Sequence, residues 1–296
     1  MAQRKIPWQS KLILLLVVPF AAAYTLLQAH FWASRVPAVA IWTLGLSLIL
    51  GIVVLWLRAA TPAAAFVGVV ITASLVFSTV TVPYLPWHTA LVPTLGVSLL
   101  AFVATRFGRK KKEQLGTAEK RDGRAASQVA ANLGIAMLVS NDFVQPALAN
   151  AGLAVRLAAT PGIFFVAGLA ALAEAAADTV SSEIGQVLGV RPRMITTLRF
   201  ADPGTDGAIS LTGTFAGIAA AAVIAGAGAW AVGGGLASFS ISCAGAVFGL
   251  LFDSLLGATL ERRGWLNNDA VNFLSTASAA AFALALLAAL PENLLH

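Results

Sequence analysis

Charge is scarce in this sequence: of 296 residues, 11% are charged and 58% are hydrophobic. A mean hydropathy of +0.84 disfavours a water-soluble pair of domains and predicts a polytopic helical membrane protein. The one cysteine, Cys243, lies in an apolar run. A disulfide framework and a paired-cysteine metal or redox centre are therefore excluded.

Histidine is also rare, and the chain contains three. His30 and His88 fall on the predicted outer side of the membrane, and His296 is the last residue. A serine–histidine triad, a histidine-ligated zinc ion and a histidine general base are thus disfavoured. The net charge is +6, but no basic segment is interleaved with aromatic residues, so we expect no nucleic-acid partner.

Apolar segments near the length of a spanning helix recur nine times along the chain. Asn141, Asp142, Gln145 and Pro146 interrupt the fifth, so a broken or re-entrant arrangement stays open there. The sequence predicts an all-α transmembrane bundle of about nine spans. These spans cover residues 12–27, 37–57, 62–81, 87–105, 125–146, 162–181, 208–230, 236–256 and 270–290.

The basic residues support this arrangement. With a cytoplasmic N-terminus, 17 of the 19 lysines and arginines face the cytoplasm, and only Arg35 and Arg156 fall outside. The basic loop, residues 106–124, holds eight of them. We therefore expect a multi-pass protein of a bacterial-type inner membrane. Residues 1–40 would form an extra N-terminal span, and residues 41–296 a membrane-embedded catalytic domain.

Acidic and small residues are concentrated in residues 174–213, which contain EAAADTVSSEIG and DPGTDGAISLTGT. At helical spacing Glu174, Asp178 and Ser182 share a face, while Glu183 points away from it. Ionised groups in or beside a bilayer are costly, so this cluster indicates a functional site. A structural network of ion pairs is the alternative.

Four polar motifs meet at the cytoplasmic face in the predicted topology: residues 178–183, 204–210, 253–261 and 267–272. Their carboxylates and amides offer oxygen ligands for Mg²⁺, which proteins hold with one or two carboxylates plus substrate phosphates. Asp178, Asp206, Asp253 and Asp269 are the predicted catalytic residues. The first three of these are the predicted metal ligands.

The turn DPGTDG opens a helix and is rich in glycine and hydroxyl groups, which suits phosphate binding. An ordinary helix N-cap at Asp206 or Thr205 is the alternative. No GK[ST] follows, so the turn is not a Walker A motif.

The basic loop allows two interpretations, contact with nucleotide phosphates or contact with anionic lipid heads. We predict the lipid surface for Lys111 and Lys112. Lys110, Arg121 and Arg124 are predicted for the site.

The motifs GRKKKEQLG, RDGRAASQVAANLG, AEAAADTVSSEIG, PGTDGAISLTGT, FDSLLGATLE and NNDAVNFLS follow one another in this order. Together they resemble the integral-membrane prenyl-phosphate kinase family, which was formerly a domain of unknown function. They are distantly similar to dolichol kinase and CDP-diglyceride synthetase. The resemblance covers about residues 45–290, so residues 1–40 have no counterpart in it.

The resemblance implies a membrane enzyme that transfers a phosphoryl group from a nucleoside triphosphate to a prenyl monophosphate with Mg²⁺. CTP is the expected donor, and no oligomeric state is predicted. A related lipid nucleotidyl- or phosphotransferase and a non-enzymatic transporter or scaffold are the alternatives; the chain lacks the internal repeats typical of transporters. The implied substrate- and nucleotide-binding residues are Lys110, Arg121, Arg124, Gln128, Asn132, Ser182, Gly204, Thr205, Gly207, Ser210, Ser254, Asn267, Asn268 and Asn272.

Overall fold

The structure, a computed structural model, describes residues 6–118, 123–150 and 163–290. This part of the chain folds into α-helices, a 3-10 turn at Pro86–His88, a π-helical turn at Gly257–Glu261 and an antiparallel hairpin of β1 (Arg193–Met194) and β2 (Ala208–Ile209). In chain order the helices are α1 (Trp8–Arg35), α2 (Pro37–Trp56), α3 (Pro62–Phe77), α4 (Leu91–Arg106), α5 (Arg109–Leu115), α6 (Ala126–Ser140), α7 (Gln145–Asn150), α8 (Ile163–Leu188), α9 (Leu211–Ala231), α10 (Gly235–Leu256) and α11 (Asn268–Ala289).

Each of the nine predicted segments contains one long helix, and the polytopic helical class is confirmed. Among the described residues, six helices are long and apolar enough to cross a membrane. A seventh crossing exists if α4 and α5, which are bent by 65°, form one span. The predicted count of about nine is somewhat higher because α3 and α6 have 16 and 15 residues, whereas a bilayer core needs about 20.

The predicted interruption of the fifth segment is present in the structure. The helix α6 ends at Ser140, and α7 begins at Gln145. Between them the side-chain oxygen of Asn141 accepts a hydrogen bond from the Phe143 backbone N–H at 2.9 Å. This local turn competes with helix continuation. Arg156 lies outside the described residues.

The helix α8 is the central element of the bundle. In its most apolar stretch 89% of the residues are buried, against 28–44% for the other long spans. Small residues allow this burial, since a Cβ placed on Gly217 of α9 would lie 2.8 Å from the Ala177 carbonyl oxygen. A Cβ on Gly249 of α10 would lie 2.6 Å from the Glu174 side chain. Close backbone packing of this kind is typical of membrane helices and places the acidic face of α8 between its neighbours.

Candidate active site

A polar cavity of about 230 Å³ lies at the C-terminal end of α8. Asp178 of α8, Asp253 of α10, Asn268 of α11 and Glu261 of the π-helical turn line it. The lining also includes the predicted site residues Ser182, Gly204, Thr205, Asp206, Gly207, Ser210 and Ser254. The structure therefore brings the four polar motifs together in one cavity.

Asp178 and Asp253 both line this cavity and are close enough for their charges to interact. The Oδ2 atom of Asp253 is buried without a hydrogen-bond partner among the described residues. Neighbouring carboxylates disfavour each other's ionised form, and a bound cation or a proton relieves this repulsion. This pair is therefore the strongest feature of the cavity for binding a cation.

Mg²⁺ is the ion that the resemblance implies for this cavity. Within the described ranges, no three aspartate, glutamate, histidine or cysteine residues are placed to hold one metal ion. Asp178, Asp253 and Asp206 line the same cavity, and their role as metal ligands stays a prediction. Asp206 also lies among the acidic neighbours of Glu261. Two carboxylates still fit Mg²⁺, because this ion commonly takes its remaining ligands from substrate phosphates and water.

Glu174 lies one turn before Asp178 on α8 and is 1% exposed. Its Oε1 atom is buried without a hydrogen-bond partner among the described residues. Glu174 lies outside the residues that line the cavity. It is therefore a buried carboxylate beside the acidic pair that does not face the cavity.

The loop before α9 presents Asp206 and Thr205 to the cavity without using either as a helix cap. Ser210 is the N-cap, because its hydroxyl accepts a hydrogen bond from the Gly213 backbone N–H at 3.1 Å. The alternative that Asp206 or Thr205 caps this helix is therefore wrong. Gly207 has a φ of 74° and packs so closely that an added Cβ would lie 2.2 Å from the Ala258 backbone nitrogen. This close packing is sufficient to explain why residue 207 is a glycine, and no bound phosphate is needed for the explanation.

A second, larger cavity has a volume of about 620 Å³, and we call it the arginine groove. Its walls come from α2, α3, α4, α5, α6 and α8 and are mostly apolar, with Ala, Val, Leu, Gly and Phe residues. Its polar lining includes four arginines: Arg58, Arg106, Arg109 and Arg124. An apolar groove with several guanidinium groups fits a lipid that carries a phosphate.

Arg124 lines the arginine groove and lies near Asp178 of the polar cavity. Its backbone N–H donates to the Ala59 carbonyl, and its own carbonyl accepts from the Thr61 N–H, both at 3.0 Å. Its guanidinium donates to the Thr179 hydroxyl at 3.4 Å and is a charged neighbour of Asp178. A phosphate bound by Arg124 would therefore lie next to the acidic pair.

Arg124 was predicted for the site from the sequence, but Arg58, Arg106 and Arg109 were not. Arg58 has a left-handed backbone with a φ of 52°, which is uncommon for a residue with a side chain. Arg106 donates to the Leu57 carbonyl at 2.5 Å, and Arg109 pairs with Glu113. The sequence signal that could have indicated Arg58 and Arg106 is their place at helix ends, since Arg58 follows α2 and Arg106 ends α4.

Lys112 contradicts the prediction that it contacts the lipid surface. It is fully buried, and its ammonium group donates to the carbonyl oxygens of Ala104 and Thr105 and to the Glu183 carboxylate at 2.5 Å. Because α5 turns back after α4, the lysine points into the protein. Lys111 is exposed and donates to the Val187 carbonyl at 2.7 Å. The two lysines thus fasten α5 to the end of α8.

Other predicted site residues lie away from the polar cavity. Lys110 is exposed and lines neither cavity. Gln128 accepts a hydrogen bond from the Ala125 backbone N–H, and Asn132 lines the arginine groove and accepts one from Asn272 at 2.9 Å. Asn267 and Asp269 contact α1. Arg121 lies outside the described residues.

Comparison with known proteins gives the family. The model of the family described as "Integral membrane protein DUF92" matches residues 45–280. The chain belongs to this family. The membership expected from the six motifs, and the integral membrane location, are thereby confirmed. No solved structure matches the chain significantly.

Three relatives are similar over parts of their length. An uncharacterized membrane protein of Synechocystis is 31% identical over 203 residues, which are 68% of this chain and 74% of that protein. An uncharacterized membrane protein of Methanocaldococcus jannaschii is 39% identical over 108 residues, 36% of this chain and 45% of that protein. Protein VTE6, chloroplastic, of Arabidopsis thaliana is 28% identical over 190 residues, 60% of this chain and 52% of that protein. The match thus spans about half the length of the archaeal and plant relatives.

Proposed function

We propose that the protein is a membrane lipid kinase that transfers a phosphoryl group from a nucleoside triphosphate, CTP by resemblance, to a prenyl monophosphate. The observation that carries this proposal is that Arg124, which lines the arginine groove, is a charged neighbour of Asp178, which lines the polar cavity. The groove is mostly apolar and has four arginines, and the polar cavity has two neighbouring carboxylates. A kinase of this kind needs both, placed so that two phosphates meet.

The arginine groove is the proposed prenyl-phosphate site. Its apolar walls suit an isoprenoid tail, and guanidinium groups bind phosphate oxygens with paired hydrogen bonds. Arg124 is held at both sides by backbone hydrogen bonds, so its guanidinium is well positioned to orient the acceptor phosphate. Asn132 lines the same groove and is fixed by Asn272.

The polar cavity is the proposed site of the nucleotide phosphates. Asp178 and Asp253 are the residues that would hold Mg²⁺, and when bound this ion neutralises charge on the phosphate oxygens. Thr205 and Ser182 line the cavity and can donate hydrogen bonds to phosphate oxygens. In the predicted topology, the polar cavity lies on the cytoplasmic side of the membrane. The site would therefore be accessible to soluble nucleotide.

The proposed reaction requires no general base. An oxygen of the prenyl monophosphate, already ionised at neutral pH, attacks the γ-phosphorus of the nucleotide. The bond from the γ-phosphorus to the β,γ-bridging oxygen breaks, and the nucleoside diphosphate leaves with that electron pair. The absence of histidine from the described lining of either cavity fits this chemistry, since positioning and charge stabilisation are sufficient.

The test is product analysis with purified protein in lipid nanodiscs. Prenyl monophosphates of several chain lengths are incubated with Mg²⁺ and with CTP or ATP labelled at either the α- or the γ-phosphate. We expect label from the γ-position in a prenyl diphosphate. Label from the α-position in the lipid, with release of pyrophosphate, would instead identify a nucleotidyltransferase. No labelled lipid with any acceptor would contradict the proposal.

The acceptor site is tested separately by Arg124→Ala. Loss of a phosphate contact to a charged donor costs about 1.5–3 kcal/mol, so we expect the KM for the prenyl monophosphate to rise roughly 10- to 100-fold. Arg35→Ala is the matched control, because Arg35 ends α1 and lines neither cavity. Equal kinetics of the two variants would remove Arg124 from the site.

A further inference from the structure

The first helix, α1, lies before the segment that matches the family model, which begins at residue 45. Nothing in the proposed chemistry uses it. Nevertheless its buried residues Ile13, Val17, Ala21 and Tyr24 follow one helical face, whereas Leu15 is 70% exposed. One side of α1 therefore packs on the bundle, and the opposite side is left for lipid.

The beginning of α1 is joined to the beginning of α11 by four side-chain hydrogen bonds. Gln9 donates to the Trp265 carbonyl at 2.7 Å and accepts from the Asn267 backbone N–H at 2.8 Å. Ser10, which is 1% exposed, donates to the Asp269 carboxylate at 2.6 Å and accepts from the Asn267 side-chain amide at 2.9 Å. We call this cluster the α1–α11 junction.

The junction uses both side chains that flank Asn268. Asn267 is the N-cap of α11, since its side-chain oxygen accepts from the Ala270 N–H at 2.9 Å, and its amide is bound to Ser10. Asp269 is bound to Ser10. Asn268, between them, lines the polar cavity. Fixing both neighbours fixes where Asn268 enters the cavity wall.

The rest of α1 is held firmly enough to transmit this restraint. A Cβ on Gly134 of α6 would lie 2.6 Å from the Val17 side chain, so the two helices are in close contact. The Thr25 hydroxyl donates to the Val70 carbonyl of α3 at 3.2 Å, and the Tyr24 hydroxyl donates to Asp142 at 3.1 Å. The helix is thus anchored to α3, to α6 and, through Asp142, to the turn after α6.

We propose that α1 is a positioning element of the active site, in which Gln9 and Ser10 hold the first turn of α11 so that Asn268 faces the polar cavity. In this role Asp269 serves as a hydrogen-bond acceptor for Ser10 and has no part in binding metal or phosphate. This proposal differs from the prediction of Asp269 as a catalytic residue, and the two roles predict different results.

The two roles of Asp269 are separated by Asp269→Asn and Asp269→Ala. An asparagine keeps an oxygen that accepts from Ser10 but loses the charge. If Asp269 acts through the junction, we expect the turnover of Asp269→Asn to stay within about threefold of the parent. Asp269→Ala and Ser10→Ala each lose the hydrogen bond, and we expect kcat to fall about tenfold with little change in the KM for the lipid. Leu15→Ala, on the lipid-facing side of the same helix, is the control and is expected to be unaffected.

The double variant Ser10→Ala/Asp269→Ala tests whether the two residues act as one unit. We expect it to be no slower than the slower single variant, because both changes remove the same hydrogen bond. A loss of 100-fold or more in Asp269→Asn would show that the charge itself is needed and would overturn the proposal. Parental kinetics in Ser10→Ala would also overturn it.

The kinetic readout rests on the proposed kinase activity. Nucleotide affinity is therefore measured on the same variants as an independent readout. If the parent binds Mg²⁺ with nucleotide but phosphorylates no prenyl acceptor, the proposed function fails while the junction is still tested. In that case Ser10→Ala and Asp269→Ala are expected to weaken nucleotide binding several-fold, and Asp269→Asn is not. Unchanged affinity in all three would contradict the role of α1.

Discussion

Breaking the buried pair of Lys112 and Glu183 is expected to destabilise the protein strongly. The lysine side chain is 1% exposed and the glutamate side chain 13%. In Glu183→Gln the ammonium group keeps the Ala104 and Thr105 carbonyls but loses its only counter-charge among the described residues. Removing one partner of a buried pair typically costs about 3–5 kcal/mol, because the remaining charge stays buried and unpaired.

The assay is thermal unfolding in detergent. At about 2–4 °C per kcal/mol, the expected fall in Tm for Glu183→Gln is roughly 6–20 °C. Glu113→Gln is the matched control, since it breaks the exposed ion pair between Arg109 and Glu113. The side chains of these two residues are 35% and 46% exposed, respectively. Such helix pairs are worth about 0.3–0.5 kcal/mol, so a change near 1 °C is expected. If Glu183→Gln is as stable as Glu113→Gln, the buried pair does not hold α5 against α8.

Three further predictions concern the loop before α9, the groove and the topology. Because Ser210 is the N-cap, Ser210→Ala is expected to cost about 1 kcal/mol of stability, whereas Asp206→Ser should leave Tm unchanged and lower turnover about 10²-fold; a stable, fully active Asp206→Ser would exclude that carboxylate from the site. Arg58→Ala is expected to raise the KM for the prenyl monophosphate about tenfold or more with little change in the KM for nucleotide, and an unchanged lipid KM would contradict its place in the groove. Reporter fusions after Tyr84 and after Lys112 are expected on opposite sides of the membrane; the same side for both would refute the topology.

The helical class and the meeting of the acidic motifs followed from the sequence because both depend on local patterns. Apolar length predicts a helix, and charge placement predicts which ends of helices share a membrane face. These two patterns predicted that Asp178 and Asp253 lie at the same end of the bundle. The distance between them could not be predicted, since it depends on how Gly249 and Gly217 set the packing of neighbouring helices around α8.

Burial and partners were the features that the sequence did not predict. Lys112 is one of three consecutive lysines, and only the bend between α4 and α5 turns it toward Glu183. Asp269 lies in an asparagine-rich motif that suggests chemistry, yet its partner Ser10 is 259 residues away in sequence. Arg58 was not predicted for the site, because the groove that it lines is assembled from six helices. Each of these contacts is long-range and has no periodic signal.

The helix count differs for a related reason. Apolar segments were counted as full crossings by composition, but α3 and α6 end after 16 and 15 residues. The first is stopped at Phe77, and the second at Ser140 by the turn around Asn141. Turn chemistry at Asn141 therefore shortened a segment that hydropathy alone extends.

The central claim is that the pair formed by Asp178 and Asp253 carries phosphoryl transfer onto a lipid phosphate held beside it. The most direct measurement is a single-turnover experiment with γ-labelled nucleotide, Mg²⁺ and a prenyl monophosphate, comparing the parent with Asp178→Asn and with binding of the lipid measured in parallel. We expect Asp178→Asn to bind the prenyl monophosphate as the parent does and to form labelled prenyl diphosphate at least about 10²-fold more slowly. A rate of diphosphate formation equal to that of the parent would contradict the claim.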